Sequence, residues 1–144
     1  MYDAGLTKQS LTEKEYLYLL GVSQWVFNSN CHFIIEMIDN EHHNNSQTSW
    51  FEFLELTAGQ IKNHGGLVQK VLGGDIFKLF SDLVDRRNTI IHCFPSGKKE
   101  DGYYVPVYRK SKESPCKKIT KEFLREFIQD NEELSSLIYK KRGF

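Results

Sequence analysis

The sequence predicts an all-α fold, a single-domain helical bundle of four to five helices with a long loop or small hairpin before the last helix. Three observations predict it. Apolar residues recur with a 3.6-residue period over long stretches. Helix-capping and helix-stopping residues stand at the ends of those stretches. The 144 residues contain no internal repeat and fit one core, so the domain is expected to span residues 1–144.

The first helix is predicted to begin near residue 11, because Ser10 precedes Glu13 by the three residues of a capping box. Its apolar residues fall on two faces, and such a helix either lies at the centre of a bundle or contacts another subunit. We expect Trp25 and Trp50 to pack in the core. The first face carries Tyr16, Leu19, Leu20, Val26, Phe27, Ile34, Met37 and Ile38. The second face carries Tyr18, Val22, Trp25 and Phe33.

The sequence of the middle of the chain predicts a second helix, a short segment between glycine pairs and a third helix. Ser46 or Thr48 is the expected cap of "WFEFLELTAGQIKN", and glycine pairs bracket the short segment "LVQKVL". Asp75 is the expected cap of the third helix, which runs to about Cys93 and stops at "PSG".

The stretch "GKKEDGYYVPVYRKSKESPCKK" is predicted to be a long loop or small hairpin. It holds two prolines and two glycines, and Pro106 would interrupt a central strand. Thr120 is the expected cap of the last helix. The apolar positions of that helix are Leu124, Phe127, Ile128, Leu134, Leu137 and Ile138.

Charge is distributed unevenly along a chain whose formal net charge is zero. Residues 1–95 hold 7 Lys and Arg against 11 Asp and Glu, and residues 96–144 hold 12 against 8. A neutral total argues against nucleic-acid binding over the whole surface. The most basic stretch, residues 98–121, does combine cations with aromatic rings, as single-stranded RNA binders do, and a solvated basic loop is the alternative. Its expected substrate-binding residues are Lys98, Lys99, Tyr103 and Tyr104.

Composition and cysteine spacing argue against membrane, secreted and zinc-binding proteins. No apolar run approaches the ~20 residues of a membrane span, and the first residues do not resemble a secretory signal, so we expect a cytoplasmic protein. The three cysteines show no Cys-x-x-Cys pair and no zinc-like spacing with histidine. We therefore expect reduced thiols, no metal site and no cofactor.

Arg87 interrupts the apolar stripe of the third helix. It lies four residues after Leu83 and three before Ile90, whereas Arg86 lies off the stripe. An arginine there keeps its charge, so it requires a carboxylate, a phosphate or access to water. Glu36, inside the apolar run "FIIEMI", is the partner that a purely structural role would use.

A polar stripe runs beside the apolar one. Asp85, Asn88 and His92 are spaced by three and four residues, which places them on one helix face. Arg87 and His92 are five residues apart and diverge by about 140° on a regular helix. Two arrangements would bring them to one target: the helix loosens before Pro95, or a second copy of the chain completes the site.

Arg87, Asn88, three intervening residues and His92 resemble the Arg, polar, x-x-x, His motif of HEPN domains. These are small helical bundles found in toxin–antitoxin, CRISPR-associated and other antiphage ribonucleases. The resemblance covers the motif, the chain length and the helix pattern. In toxins paired with a nucleotidyltransferase antitoxin, a Tyr commonly stands two residues after the His, whereas this chain has Phe94. Silencing by nucleotidylation of that Tyr is therefore not implied.

The resemblance implies a metal-independent endoribonuclease that acts as a homodimer with a composite active site. His92 would move protons during attack by the RNA 2′-OH, and Arg87 would stabilise the charge on the phosphorane. Asn88 would orient the phosphate or the imidazole, with Asp85 and Glu36 in support. Arg86, six residues before His92, would bind substrate or take the catalytic role in place of Arg87. The products would carry a 2′,3′-cyclic phosphate and a 5′-OH, and an antitoxin or a larger defence system would be the partner.

Two other functions stay open from the sequence. One is a non-catalytic helical module that binds a nucleotide, RNA or a protein, with Arg87 as an anion clamp. The other is a purely structural bundle in which Arg87 pairs with Glu36.

Overall fold

The helices of the computed structural model surround one core, and a small sheet closes one end of it. The structure describes residues 6–42 and 65–143. The predicted helix in "WFEFLELTAGQIKN", its caps Ser46 and Thr48, and Trp50 lie outside these residues. The described elements are α1 (Lys14–His42), α2 (Gly65–Leu72), α3 (Gly74–Ile91), β1 (Phe94–Glu100), β2 (Tyr103–Tyr108), β3 (Lys117–Lys118) and α4 (Lys121–Lys141).

The fold is α+β rather than all-α. The described part has four helices, as a helical bundle requires, but the segment before α4 forms a three-stranded antiparallel sheet in the order β1-β2-β3. The prediction of a small hairpin is confirmed for β1 and β2, and the third strand was not foreseen. None of the described helices combines the length and apolar character that a bilayer span requires.

Long helices α1, α3 and α4 supply most of the core. Phe27, Phe80 and Phe127 come from the three helices in turn, and each is almost fully buried. The Phe27 ring lies 6.5 Å from that of Phe80 and 5.8 Å from that of Phe127, within the range of favourable aromatic contacts. The periodic apolar positions therefore converge where the three helices meet.

The start of α1 differs from the prediction. The helix begins at Lys14, and its first backbone bond runs from the Leu17 amide to the Glu13 carbonyl, so Ser10 does not cap it. The preceding residues serve tertiary contacts instead. Thr12 donates its hydroxyl to the Tyr104 carbonyl at 3.1 Å, and the Glu13 carboxylate pairs with Lys121.

The ends of α3 and α4 test three of the predicted boundaries. Gly73, not Asp75, precedes the first helical residue of α3, and no side chain caps it. Helix α3 ends at Ile91 with His92 as its C-cap, two residues before the predicted end. The Thr120 cap of α4 is confirmed, since its hydroxyl accepts from the Phe123 amide at 3.1 Å.

The β1–β2 hairpin turns at Asp101 and Gly102, whose φ values of 54° and 85° are those of a two-residue type I′ turn. Register is irregular between Pro95 and Lys99, where Gly97 has a φ of 77°. There the Ser96 hydroxyl donates to the Val105 carbonyl at 3.0 Å.

Pro106 lies in the central strand β2, contrary to the expectation that it would interrupt one. The Ile119 amide donates to the Pro106 carbonyl at 2.8 Å, but proline has no N–H to return the bond. The Tyr16 hydroxyl donates to the Ile119 carbonyl at 2.8 Å instead. A side chain from α1 therefore supplies the donor that the strand lacks.

Trp25 is exposed and does not pack in the core. On α1 the buried face carries Tyr16, Phe27 and Ile34, whereas Trp25 is 77% exposed on the opposite side. The helix thus has an inner apolar face that the bundle covers and an outer face that it leaves open.

Candidate functional site

The C-terminal half of α3 positions the residues of the motif. Arg86 and Arg87 are half-buried, Asn88 is half-buried beside them, and His92 is exposed at the helix end. These side chains leave a regular helix in different directions, so each has its own surroundings.

Arg86 ties α3 to α4. Its Nη2 lies 2.7 Å from a carboxylate oxygen of Asp82 and 2.7 Å from one of Asp130, and its Cζ lies 5.8 Å from the centre of the Phe127 ring. Two carboxylates already balance this guanidinium. Its surroundings are those of a structural cross-link, although Arg86 was predicted to bind substrate.

Arg87 faces α1. Its Cζ lies 5.5 Å from the centre of the Phe27 ring, and its Nη1 donates to the Asn88 Oδ1 at 3.3 Å. Its Nε is buried and has no hydrogen-bond partner among the described residues. None of the ion pairs found within residues 6–42 and 65–143 involves Arg87. The proposed structural partner, Glu36, therefore does not form an ion pair with it.

The charge of Arg87 affects the pKa of the Cys31 thiol. Burial raises the pKa of the Cys31 thiol to about 12, and Arg87 acts in the opposite direction. The positive field of the guanidinium thus reaches the thiol across the α1–α3 contact without offsetting its desolvation.

Asn88 lies between the two predicted catalytic groups. Its Oδ1 accepts from Arg87, and its backbone carbonyl accepts from the His92 amide at 3.1 Å. That amide bond keeps His92 on the helical spiral, with backbone angles φ −96° and ψ 7°. The helix does not loosen before this residue, so Arg87 and His92 diverge as a regular helix requires.

The predicted supporting residues lie at the edges of this region. Asp85 is exposed on α3, and its backbone carbonyl accepts from the Thr89 hydroxyl at 3.1 Å. Glu36 is half-buried on α1. Among the described residues, no three His, Cys, Asp or Glu side chains cluster closely enough to hold a metal ion.

The predicted substrate-binding residues of the sheet lie in different places. Tyr103 is 5% exposed, its ring centre lies 5.5 Å from that of Tyr16, and its hydroxyl accepts from the Lys121 amide at 3.1 Å. It packs in the core and is not open to a base. Tyr104, the next residue on β2, points to the other face, and Lys99 lies 5.4 Å from its ring centre.

Lys98 lines a shallow cleft of about 370 Å³ on the sheet, which the sequence did not reveal. Phe94, Val105, Val107 and Lys118 line the same cleft, and Phe94 is 48% exposed. In the sequence, Phe94 stands where toxins with a similar motif commonly have tyrosine. Its position two residues after His92 is the signal available in the sequence, because two residues of chain limit the Cα separation of His92 and Phe94 to about 7 Å.

Comparisons of the chain with protein-family models, with curated proteins and with solved structures find no match.

Proposed function

We propose that this chain is a metal-independent endoribonuclease that cleaves RNA by attack of the 2′-OH on the adjacent phosphate. His92 transfers protons, because an imidazole can act both as general base and as general acid. Arg87 stabilises the charge that develops on the phosphate, and Asn88 orients the groups. Cleavage leaves a 2′,3′-cyclic phosphate and a 5′-OH.

One observation carries the proposal: Arg87, Asn88 and His92 lie within six residues at the C-terminal end of α3. Arg87 donates to Asn88, and Asn88 lies one helical turn before an exposed His92. A guanidinium without a carboxylate partner among the described residues remains available for a phosphate. The resemblance to HEPN motifs supports the same roles and suggests a toxin or antiphage effector, with an antitoxin or larger defence system as partner.

A second copy of the chain completes the site in this proposal. Arg87 and His92 of one helix diverge by about 140°, so a single small phosphate does not meet both on one chain. A homodimer that apposes two α3 ends would let Arg87 of one copy and His92 of the other act on one phosphate.

Loss of RNA cleavage on alanine substitution tests the two catalytic roles. Arg87→Ala and His92→Ala should each reduce cleavage of a single-stranded RNA in EDTA by at least about 100-fold. Lys78→Ala removes an exposed cation from the same helix and should leave cleavage unchanged. Circular dichroism checks that each variant is folded. Full activity of either catalytic variant contradicts the proposal.

Mixing the two inactive variants tests the composite site. An equal mixture of Arg87→Ala and His92→Ala forms mixed dimers with one intact composite site, so about a quarter of the activity should return. A mixture that stays inactive, while the wild type cleaves, excludes the composite arrangement.

A non-catalytic module that binds RNA or a nucleotide is the second candidate. It is favoured by the orientation of Arg87, which packs on Phe27 while His92 faces solvent. It differs from the first candidate in a measurable way. The wild type would bind RNA in EDTA without cleaving it, and Arg87→Ala would weaken that binding whereas His92→Ala would not.

A further inference from the structure

The outer face of α1 is exposed, aromatic and free of charge over most of its length. Trp25 is 77% exposed and Tyr18 is 70% exposed. Residues 16–35 contain no Asp, Glu, Lys or Arg. A helix face in contact with water normally carries charged residues, so this face has the composition of a surface that another molecule covers.

Residues of this face are arranged symmetrically about Trp25. Tyr18 lies seven residues before Trp25 and His32 seven after it, and Gly21 and Ser29 lie four before and four after. At about 100° per residue, all of them fall within about 40° of Trp25 around the helix axis. An antiparallel copy of α1 centred on Trp25 would place each residue opposite its counterpart.

Charges at the two ends of the face are complementary in that same register. Lys14 lies eleven residues before Trp25, and Glu36 lies eleven residues after it. Both lie within about 20° of Trp25 around the axis. An antiparallel partner therefore brings Lys14 of each copy to Glu36 of the other. A parallel partner would bring like charges together at both ends.

The shape of the face is also suited to a second copy. A groove of about 380 Å³ lies beside Trp25 and is lined by Asn28, Ser29, His32 and Phe33. On the other side of Trp25, nothing lies within 4 Å of a Cβ placed on Gly21, so a second helix can approach closely. A projecting ring beside a groove is the arrangement in which two copies of one helix interlock.

We propose that α1 pairs with α1 of a second copy in antiparallel orientation, with the two-fold axis at Trp25. Phe27, which contacts Arg87, lies about 160° from Trp25 around the helix, so α3 of each copy faces away from this interface. The pairing is independent of the ribonuclease proposal, and a composite site would need a separate contact between α3 ends. Two exposed rings contribute on the order of 300 Å² per copy, below the ~800 Å² per partner of a standard interface, so a weak dimer is expected.

Interchain disulfides test the register directly. In a Cys116→Ser background, which removes the exposed thiol, the full-length double variant Gly21→Cys, Ser29→Cys should form a covalent dimer under mild oxidation. Facing positions of packed helices meet the Cα separation of about 6 Å that a disulfide requires. Each single variant should stay monomeric on a denaturing gel, because its cysteine lies about 12 Å along the axis from its own copy.

Sedimentation velocity tests the interface without cysteine chemistry. Trp25→Glu should raise the dimer dissociation constant at least about tenfold while the far-ultraviolet circular dichroism is unchanged. Lys14→Glu and Glu36→Lys should each weaken the dimer severalfold at low salt, and the double variant should recover the wild-type constant.

A wild-type chain that stays monomeric at several hundred micromolar overturns the proposal. So does a dimer that survives Trp25→Glu, or efficient cross-linking of the single cysteine variants. Loss of ribonuclease activity without loss of the dimer, or the reverse, separates this proposal from the catalytic one.

Discussion

At the residue scale, Tyr16 supports the sheet by replacing a bond that proline cannot make. Its hydroxyl donates to the Ile119 carbonyl, the acceptor that faces the missing N–H of Pro106. Burial raises the pKa of the Tyr16 phenol, so the hydroxyl keeps its proton and remains a donor. One hydrogen bond therefore connects α1 to the segment that begins α4.

Tyr16→Phe should lower the free energy of unfolding by about 1–3 kcal/mol, because the buried Ile119 carbonyl loses the hydroxyl that donates to it. Urea denaturation measures the change. Pro106→Val supplies a backbone N–H that can donate to the same carbonyl. The substitution should therefore lower the free energy of unfolding by about 1 kcal/mol less in the Tyr16→Phe background than in the wild type. Equal costs in the two backgrounds would show that the two donors do not share an acceptor.

The cysteines differ in accessibility and in proton affinity. Cys116 is exposed, whereas burial raises the pKa of the Cys93 thiol and raises that of Cys31 to about 12. At pH 8 one thiol should react quickly with a disulfide reagent, and the other two only after unfolding. Cys116→Ser should remove the fast reaction. Three fast thiols in the folded protein would contradict this assignment.

The raised thiol pKa values also predict how the free energy of unfolding changes with pH. In the unfolded chain a thiol ionises near pH 9, whereas folded Cys31 keeps its proton to about 12. The unfolded state therefore binds fewer protons in this window, and stability should fall as pH rises from about 9 towards 12. Urea denaturation at pH 8 and pH 10 measures that fall, which Cys31→Val should reduce.

Residue patterns predicted some side-chain environments and missed others. Helical periodicity placed Arg87 on the apolar seam, and the structure packs it against Phe27. The combination of cations with aromatic rings grouped Tyr103 with Tyr104, because adjacent residues of a loop carry no fixed direction. Once the segment is a strand, its side chains alternate, and Tyr103 turns into the core.

At the element scale, a buried amide pair fixes how α1 lies on α4. The Asn30 side chain donates to the carbonyl and to the Oδ1 of Asn131, at 2.9 and 3.0 Å, and the Asn131 side chain donates to the Phe127 carbonyl at 2.9 Å. Both asparagines are buried among apolar neighbours. Sliding one helix along the other would leave these groups unpaired, so the pair specifies the register.

Asn131→Ala should lower the free energy of unfolding by about 1–3 kcal/mol, because it leaves the buried Asn30 amide with one acceptor fewer. The double variant Asn30→Leu, Asn131→Leu should cost less than the two single leucine substitutions added together, since neither polar group remains unpaired. Urea denaturation measures both. Additive single and double effects would contradict a coupled pair.

Elements with strong local signals were predicted well, and those that depend on tertiary contacts were not. The hairpin and the Thr120 cap follow from nearby residues, and both are confirmed. Ser10 had a capping-box spacing but does not cap α1, because Thr12 and Glu13 bind β2 and α4 instead. The strand role of Pro106 depends on Tyr16, ninety residues away, which no local pattern reveals.

At the scale of the whole molecule, the two proposals use different surfaces of the described residues. The outer face of α1 lacks charge and is proposed to bind a second copy. The end of α3, with the sheet cleft that follows His92, carries the residues proposed to act on RNA. Phe27, which contacts Arg87, and Trp25 lie on opposite sides of α1, so dimerisation and catalysis can be lost separately.

Cleavage of an RNA that lacks one 2′-OH tests the catalytic proposal most directly. The wild-type chain, in EDTA, should cut an all-ribose oligonucleotide and leave 2′,3′-cyclic phosphate and 5′-OH ends, because the RNA supplies its own nucleophile. A 2′-deoxy substitution at the mapped cleavage position should abolish cutting there, and His92→Ala should cut neither substrate. Cleavage at the 2′-deoxy position, or products that carry a 5′-phosphate, would contradict the proposed mechanism.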